Sequence, residues 1–85
     1  MSYEHLIITK HAWIRMLRRE ISLGEVRHIL KAGKIIKEYP LDRPFPSYII
    51  SGYSDKGIVS VVASDDHSQK QTHIITTYRR KRKID

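Results

Sequence analysis

Ser22-Leu23-Gly24-Glu25-Val26-Arg27-His28-Ile29-Leu30-Lys31-Ala32-Gly33-Lys34-Ile35-Ile36-Lys37-Glu38-Tyr39 is the stretch in which the chain changes its period. Ser22 followed by Glu25 is a capping box, in which each side chain satisfies the other residue's free backbone N–H. Leu23, Val26, Ile29 and Leu30 then recur at helical spacing, with Arg27, His28 and Lys31 between them. This pattern predicts a helix from Leu23 to about Ala32. Gly33 suits a helix end in the left-handed conformation. Beyond it, Lys34 to Tyr39 reads as extended chain. Helices first and strands afterwards read as an α+β domain in which the helices cover one sheet face.

Working toward the N-terminus, Thr9-Lys10-His11-Ala12-Trp13-Ile14-Arg15-Met16-Leu17-Arg18-Arg19 predicts a first helix from about Lys10. Thr9 is its N-cap. At about 100° per residue, His11, Arg15, Arg18 and Arg19 fall in one basic stripe. Trp13 and Met16 are expected in the core. Glu20-Ile21-Ser22 breaks the helix, so the two helices read as a helical hairpin with Ile21 in its core. Before them, Leu6-Ile7-Ile8 either forms an edge strand or leads into the helix.

Toward the C-terminus, Pro40 to Pro46 holds three prolines in seven residues and reads as a loop, because proline cannot complete a ladder. Tyr48–Tyr53, Ile58–Ser64 and Thr72–Tyr78 are the remaining expected strands. A turn at Ser54-Asp55-Lys56-Gly57 and a longer polar loop from Asp65 to Gln71 separate them. The expectation is two N-terminal helices packed on an antiparallel sheet of about four strands, as a single domain over residues 1–78. A basic tail follows over 79–85.

The chain has 85 residues, a net charge of +7 and a pI near 9.9. Removing residues 79–85 takes away five cations and one carboxylate, which leaves +3, so the body is basic as well. Such a field favours polyanions or acidic proteins. The absence of cysteine removes disulfides and thiolate metal sites and points to a reducing cytoplasm. No apolar run approaches the roughly 20 residues of a membrane span. No histidine pair has the spacing and carboxylate company of a zinc site, and no cofactor is expected.

An imidazole beside a guanidinium on one helix face suits a phosphate; metal-independent RNA cleavage, which the family resemblance given below implies, needs an acid–base group and cations at the phosphate. His11 can serve the first role and Arg15 the second, with Tyr78 able to donate a proton or position phosphate. Arg18, Arg19, Arg79, Arg80, Lys81, Arg82 and Lys83 are the expected nucleic-acid-binding cations. The plain alternative is a locally hydrogen-bonded His11, with Arg15 and Arg19 solvated or paired with Glu20 and Asp42. His73 alternates outward from Ile74 and so either faces the site or lies on plain surface. Tyr39, Tyr48 and Tyr53 either stack on bases or pack as ordinary sheet residues.

The chain resembles a widespread prokaryotic family of unknown function whose members begin T-x-H-A-x-x-R-M-x-x-R-x-I-S. Here that pattern is Thr9-Lys10-His11-Ala12, Arg15-Met16, Arg19 and Ile21-Ser22. The likeness continues through Gly33, Tyr39-Pro40, Asp42, Pro44, Pro46-Ser47 and Ile75-Thr76 to Tyr78. The family is similar to the BrnT and RelE-like toxins of toxin–antitoxin systems. That resemblance implies their compact RelE-like or barnase-like fold, RNA as target (including mRNA on the ribosome), endoribonuclease activity and an acidic antitoxin partner. Two departures bear on activity. Ser60 stands where relatives often carry a histidine before a Val-Val pair, and a basic run follows Tyr78 where many relatives have proline and later tryptophan. A catalytically inactive nucleic-acid-binding module, or a domain docking an acidic protein, are the alternatives.

Overall fold

The computed structural model describes residues 3–80. The first element is a strand, β1 (His5–Ile8), followed by α1 (Lys10–Arg18) and α2 (Leu23–Ala32). Four strands follow: β2 (Lys34–Tyr39), β3 (Ser47–Ser54), β4 (Gly57–Asp66) and β5 (Gln71–Arg80). They form one five-stranded sheet in the order β1-β5-β4-β3-β2. β2 to β5 are an antiparallel meander, and β1 joins β5 in parallel.

This corrects the expected architecture. The helices are not the N-terminal layer on a four-stranded antiparallel sheet; they lie between β1 and β2, and the sheet is mixed. Leu6-Ile7-Ile8 is a strand because the edge of β5 offers it a ladder, with Leu6 beside Thr72 and Ile8 beside Ile74. That partner lies more than sixty residues away, so no local pattern announces it.

The helix boundaries follow from capping chemistry. The Thr9 hydroxyl accepts from the Ala12 N–H at 3.1 Å and itself donates to the Ile74 carbonyl at 3.1 Å. One side chain therefore starts α1 and ties it to β5. α1 ends in a Schellman motif: Ile21 N–H bonds the Met16 carbonyl at 2.9 Å, and Glu20 N–H bonds that of Leu17 at 3.4 Å. Glu20 takes the left-handed position with φ 53, where glycine is usual. The Ser22–Glu25 capping box opens α2, with both bonds formed.

Gly33 departs from expectation. It closes α2 with φ −77 and ψ 179, which is extended rather than left-handed. A glycine is required there for space. A Cβ would meet the Ile29 carbonyl oxygen at 2.6 Å and that of Ser51 at 2.7 Å. Gly57, by contrast, has the positive φ (128) expected of the β3–β4 turn.

Both helices cover one face of the sheet, α1 on β5 and α2 on β3 and β4. Val59, Val61 and Ala63 of β4, Ile50 of β3 and Ile74 of β5 meet Ala12, Met16, Val26 and Ile29 there. Each valine or isoleucine removed from water contributes about 1.5–3 kcal/mol. Ile21 is buried as expected, but Trp13 is not in the core: it is 45% exposed, whereas Met16 is 2% exposed. Trp13 sits about 100° around the helix from Ala12, on the flank rather than on the buried line.

Candidate nucleic-acid interface

The opposite face of the sheet carries no helix among the described residues, and two β-bulges decide what it displays. On β5 the register steps between Val62 and Ala63, so that Thr76 faces Val62, Ile74 faces Ala63, and Ile75 is the extra residue. Thr72 and Ile74 therefore point to the helices, and so do Thr77 and Arg79 further along. Without the bulge, Tyr78 would share the face of Ile74. With it, Tyr78 turns to the open face. On β2 the step between Ile35 and Lys37 leaves Ile36 extra, and Lys37 reaches the open face in the same way. Bulges re-aim side chains in this manner because the side-chain period of a strand is two.

The open face is thus built in rows across the strands. One row runs Lys34, Ser51, Ser60, Tyr78, each opposite the next. The Ser51 and Ser60 hydroxyls are 2.5 Å apart. A second row runs Lys37, Ile49, Val62, Thr76, and a third pairs Tyr53, Ile58 and Arg80. Lys34, Lys37, Tyr53, Tyr78 and Arg80 are all exposed. The Lys37 ammonium lies 5.5 Å from the centre of the Tyr39 ring, a cation–π distance. The face therefore combines cations at its rims and tyrosine rings around a central Ser51–Ser60 pair, of which Ser51 is half-buried and Ser60 buried.

At its far end the Pro40–Pro46 loop folds back over the sheet. Phe45 lies against His73, ring centres 5.9 Å apart, and the Ser47 hydroxyl donates to Asp42 at 2.5 Å. His73 does face outward from Ile74. Its Nε2 is buried without a hydrogen-bond partner.

The cations expected from sequence separate into different places. His11 and Arg18 are exposed on α1 and Arg15 is half-buried. Arg19 reaches across to donate to the Thr77 carbonyl at 3.0 Å, which pins the end of α1 to β5. Tyr78 points to the other face of the sheet, so the structure does not bring His11 and Tyr78 together. Arg79 and Arg80 are the last residues of β5 rather than the start of a tail. Arg80 lies on the open face. Arg79 lies beneath the helices, where its guanidinium pairs with both oxygens of Glu25 at 3.0 and 2.9 Å. It also donates to the Glu20 carbonyl at 2.8 Å. Its side chain is 9% exposed, which leaves it no reach to a ligand. Lys81, Arg82 and Lys83 lie outside the described residues.

Electrostatics elsewhere is structural. The Arg79 guanidinium holds the Glu25 carboxyl at about 2, below its ordinary 4.5, against the opposing effect of burial. Burial, then the nearby Asp65 carboxylate, pushes the Tyr48 phenol well up, so it stays protonated and donates to Asp65 at 3.0 Å. Thr72 donates to the same oxygen at 2.8 Å. Tyr48 is thus a buried sheet residue and not a base-stacking ring. Among the described residues no group of three His, Cys, Asp or Glu could hold a metal ion. A cleft of about 610 Å³ lies at the N-terminus of α2 and includes Glu20, Glu25 and Asp55. With Glu25 paired to Arg79 and only Lys56 set against Glu20 and Asp55, it offers a polyanion no cluster of cations.

Fold and face together define a two-layer α+β domain with one sheet face left open, basic and tyrosine-bearing. The chain belongs to the family described as Domain of unknown function (DUF4258), whose model matches residues 8–79. No curated protein and no solved structure matches it.

The open face was only partly legible beforehand. Lys34, Lys37, Tyr53 and Arg80 carry no motif, and only their register makes them neighbours. The alternation of Val59, Val61 and Ala63 against Ser60 was the one available signal that Ser60 and its neighbours share a second face.

Proposed function

We propose that this domain is RNA-directed and holds single-stranded RNA across the open face of the sheet. The observation that carries the reading is the Lys34–Ser51–Ser60–Tyr78 row, flanked by Lys37, Tyr53 and Arg80. Bases of a single strand stack on exposed aromatic rings, and each such contact is worth about 1–3 kcal/mol. Lys34, Lys37 and Arg80 supply the phosphate contacts, and the half-buried Ser51 hydroxyl near the centre of the face suits the 2′-OH that distinguishes RNA from DNA. The Thr9–Ser22 motif, read in the sequence as similar to that of BrnT and RelE-like toxins, favours the same target and a place in a toxin–antitoxin system; the family match itself carries neither.

The test is fluorescence anisotropy with a labelled oligouridine, alongside the same length of duplex RNA. The single strand binds more tightly. Tyr78→Ala and Tyr53→Ala each weaken it about fivefold or more, in line with one lost stacking contact. Unchanged affinity in both variants would remove the open face as the binding surface. Incubation with EDTA present separates binding from cleavage. His11 lies on the helix side, away from RNA held on the open face, so His11→Ala leaves oligouridine affinity intact; a cleavage rate lowered by about 10²–10⁴ in that variant would place the cleaved strand at α1 instead. Binding without cleavage identifies the inactive module.

A further inference from the structure

The open face uses none of the outward surface of α1, and that surface has two halves. Going around the helix from its buried line at about 100° per residue, Trp13, Leu17 and Ile14 cover one arc of about 100°. Arg18, His11 and Arg15 follow over about the next 60°, while Lys10, in the first turn, lies within the apolar arc between Leu17 and Ile14. The apolar half is not covered: Trp13 is 45%, Ile14 40% and Leu17 75% exposed. Three large apolar side chains side by side on a basic protein are costly to leave in water, and such a patch marks an interaction site. No ion pair among the described residues involves Lys10, Arg15 or Arg18. The helix is also held in place at both ends, by Thr9 on the Ile74 carbonyl and Arg19 on that of Thr77. A partner would therefore meet a preformed surface and lose little ordering entropy from this side.

We propose that the outward face of α1 docks a helical segment of a second protein, apolar along one edge and rich in carboxylates along the other. Charge complementarity and the shape of the ridge select this occupant. Trp13 and Leu17 lie at i and i+4, and Ile14 and Leu17 at i and i+3, the spacing that lets a second helix set its own apolar residues between them. Glu or Asp side chains on the partner's flank then meet Arg15 and Arg18. A second copy of this chain does not fit, because its α1 would bring like charges together. RNA satisfies the cations but leaves Leu17 in water. A lipid surface gains little from three side chains on one nine-residue helix, since stable anchoring needs more buried apolar area. The proposal stands independently of RNA binding on the other face.

Trp13 is the chain's single tryptophan, so its emission reports directly on this surface. The probe is a synthetic two-heptad peptide with leucine at the a and d positions and glutamate elsewhere, titrated into the full-length protein. Saturable blue-shifted emission is expected. Leu17→Ser should weaken the peptide about tenfold or more, as loss of a central apolar anchor does, with melting temperature and oligouridine affinity unchanged. Arg18→Glu should weaken it too, and should reduce its sensitivity to salt. A peptide with lysine in place of glutamate, and a scrambled one that spreads its leucines around the helix, should give no shift. Absence of a shift with the acidic peptide, or an equal shift with either control, overturns the proposal. So does a shift produced only by phosphatidylglycerol vesicles or only by RNA.

Discussion

Arg79 shows how one residue's role depends on the face it occupies. It opens a run of five cations in the sequence, yet its neighbour Arg80 is on the open face while Arg79 is locked to Glu25. Glu25 has three tasks: it caps α2, pairs with Arg79 and so ties the α1–α2 corner to β5. Its carboxyl is depressed from 4.5 to about 2. The stabilisation is therefore fully present above about pH 4.5 and is lost as pH falls through about 2. Glu25→Gln keeps an acceptor for the capping box and removes the charge. Urea denaturation should show a loss of about 2 kcal/mol at pH 7, shrinking as the pH is lowered toward 2. An equal loss at both pH values would mean that the charge of Glu25, and so its ion pair with Arg79, is not what stabilises the corner.

The elements owe their positions to a few backbone contacts. The Schellman end of α1 places Glu20 in the left-handed region, which costs a non-glycine residue about 1 kcal/mol. Only the backbone of Glu20 is used, its carbonyl accepting from Arg79. Glu20→Gly should accordingly raise stability by up to about 1 kcal/mol, while Glu20→Ala should not. Gly33 is the opposite case. Its φ suits any residue, but the carbonyls of Ile29 and Ser51 leave no room for a Cβ. Gly33→Ala should therefore separate α2 from β3 and cost about 2 kcal/mol, seen as a melting temperature lower by roughly 10 °C.

At the scale of the whole molecule, opposite faces carry different chemistry. Helices and core lie on one side, with the apolar and basic surface of α1 outermost. The open sheet face with its cations and tyrosines lies on the other. If Lys34, Lys37 and Arg80 are the phosphate contacts, the log–log salt slope of oligouridine binding is about −2, at roughly −0.7 per contact on a single strand. Lys34→Gln with Lys37→Gln should flatten it to about −0.7, and deletion of residues 81–85 gives the separate share of the C-terminal cations. A slope unmoved by the double substitution would place the RNA elsewhere.

Local chemistry determined much of this protein from its sequence. Thr9 and the Ser22–Glu25 box set the helix starts, the β-branched runs set β2 to β5, and the prolines set the loop between β2 and β3. These signals act within a few residues, which is why they can be read there. Tertiary structure decided the rest. β1 has a strand's pairing only because β5 comes back beside it, and Gly33 is needed only because β3 crosses close by. Trp13 lies outside the core because the helix turns its Ala12–Met16 line, and not its largest side chain, toward the sheet. Tyr78 and Lys37 share a face because each of β5 and β2 carries one extra residue. A bulge shifts every later side chain to the other face, and nothing in the local sequence records the step; only the pairing with a neighbouring strand fixes it.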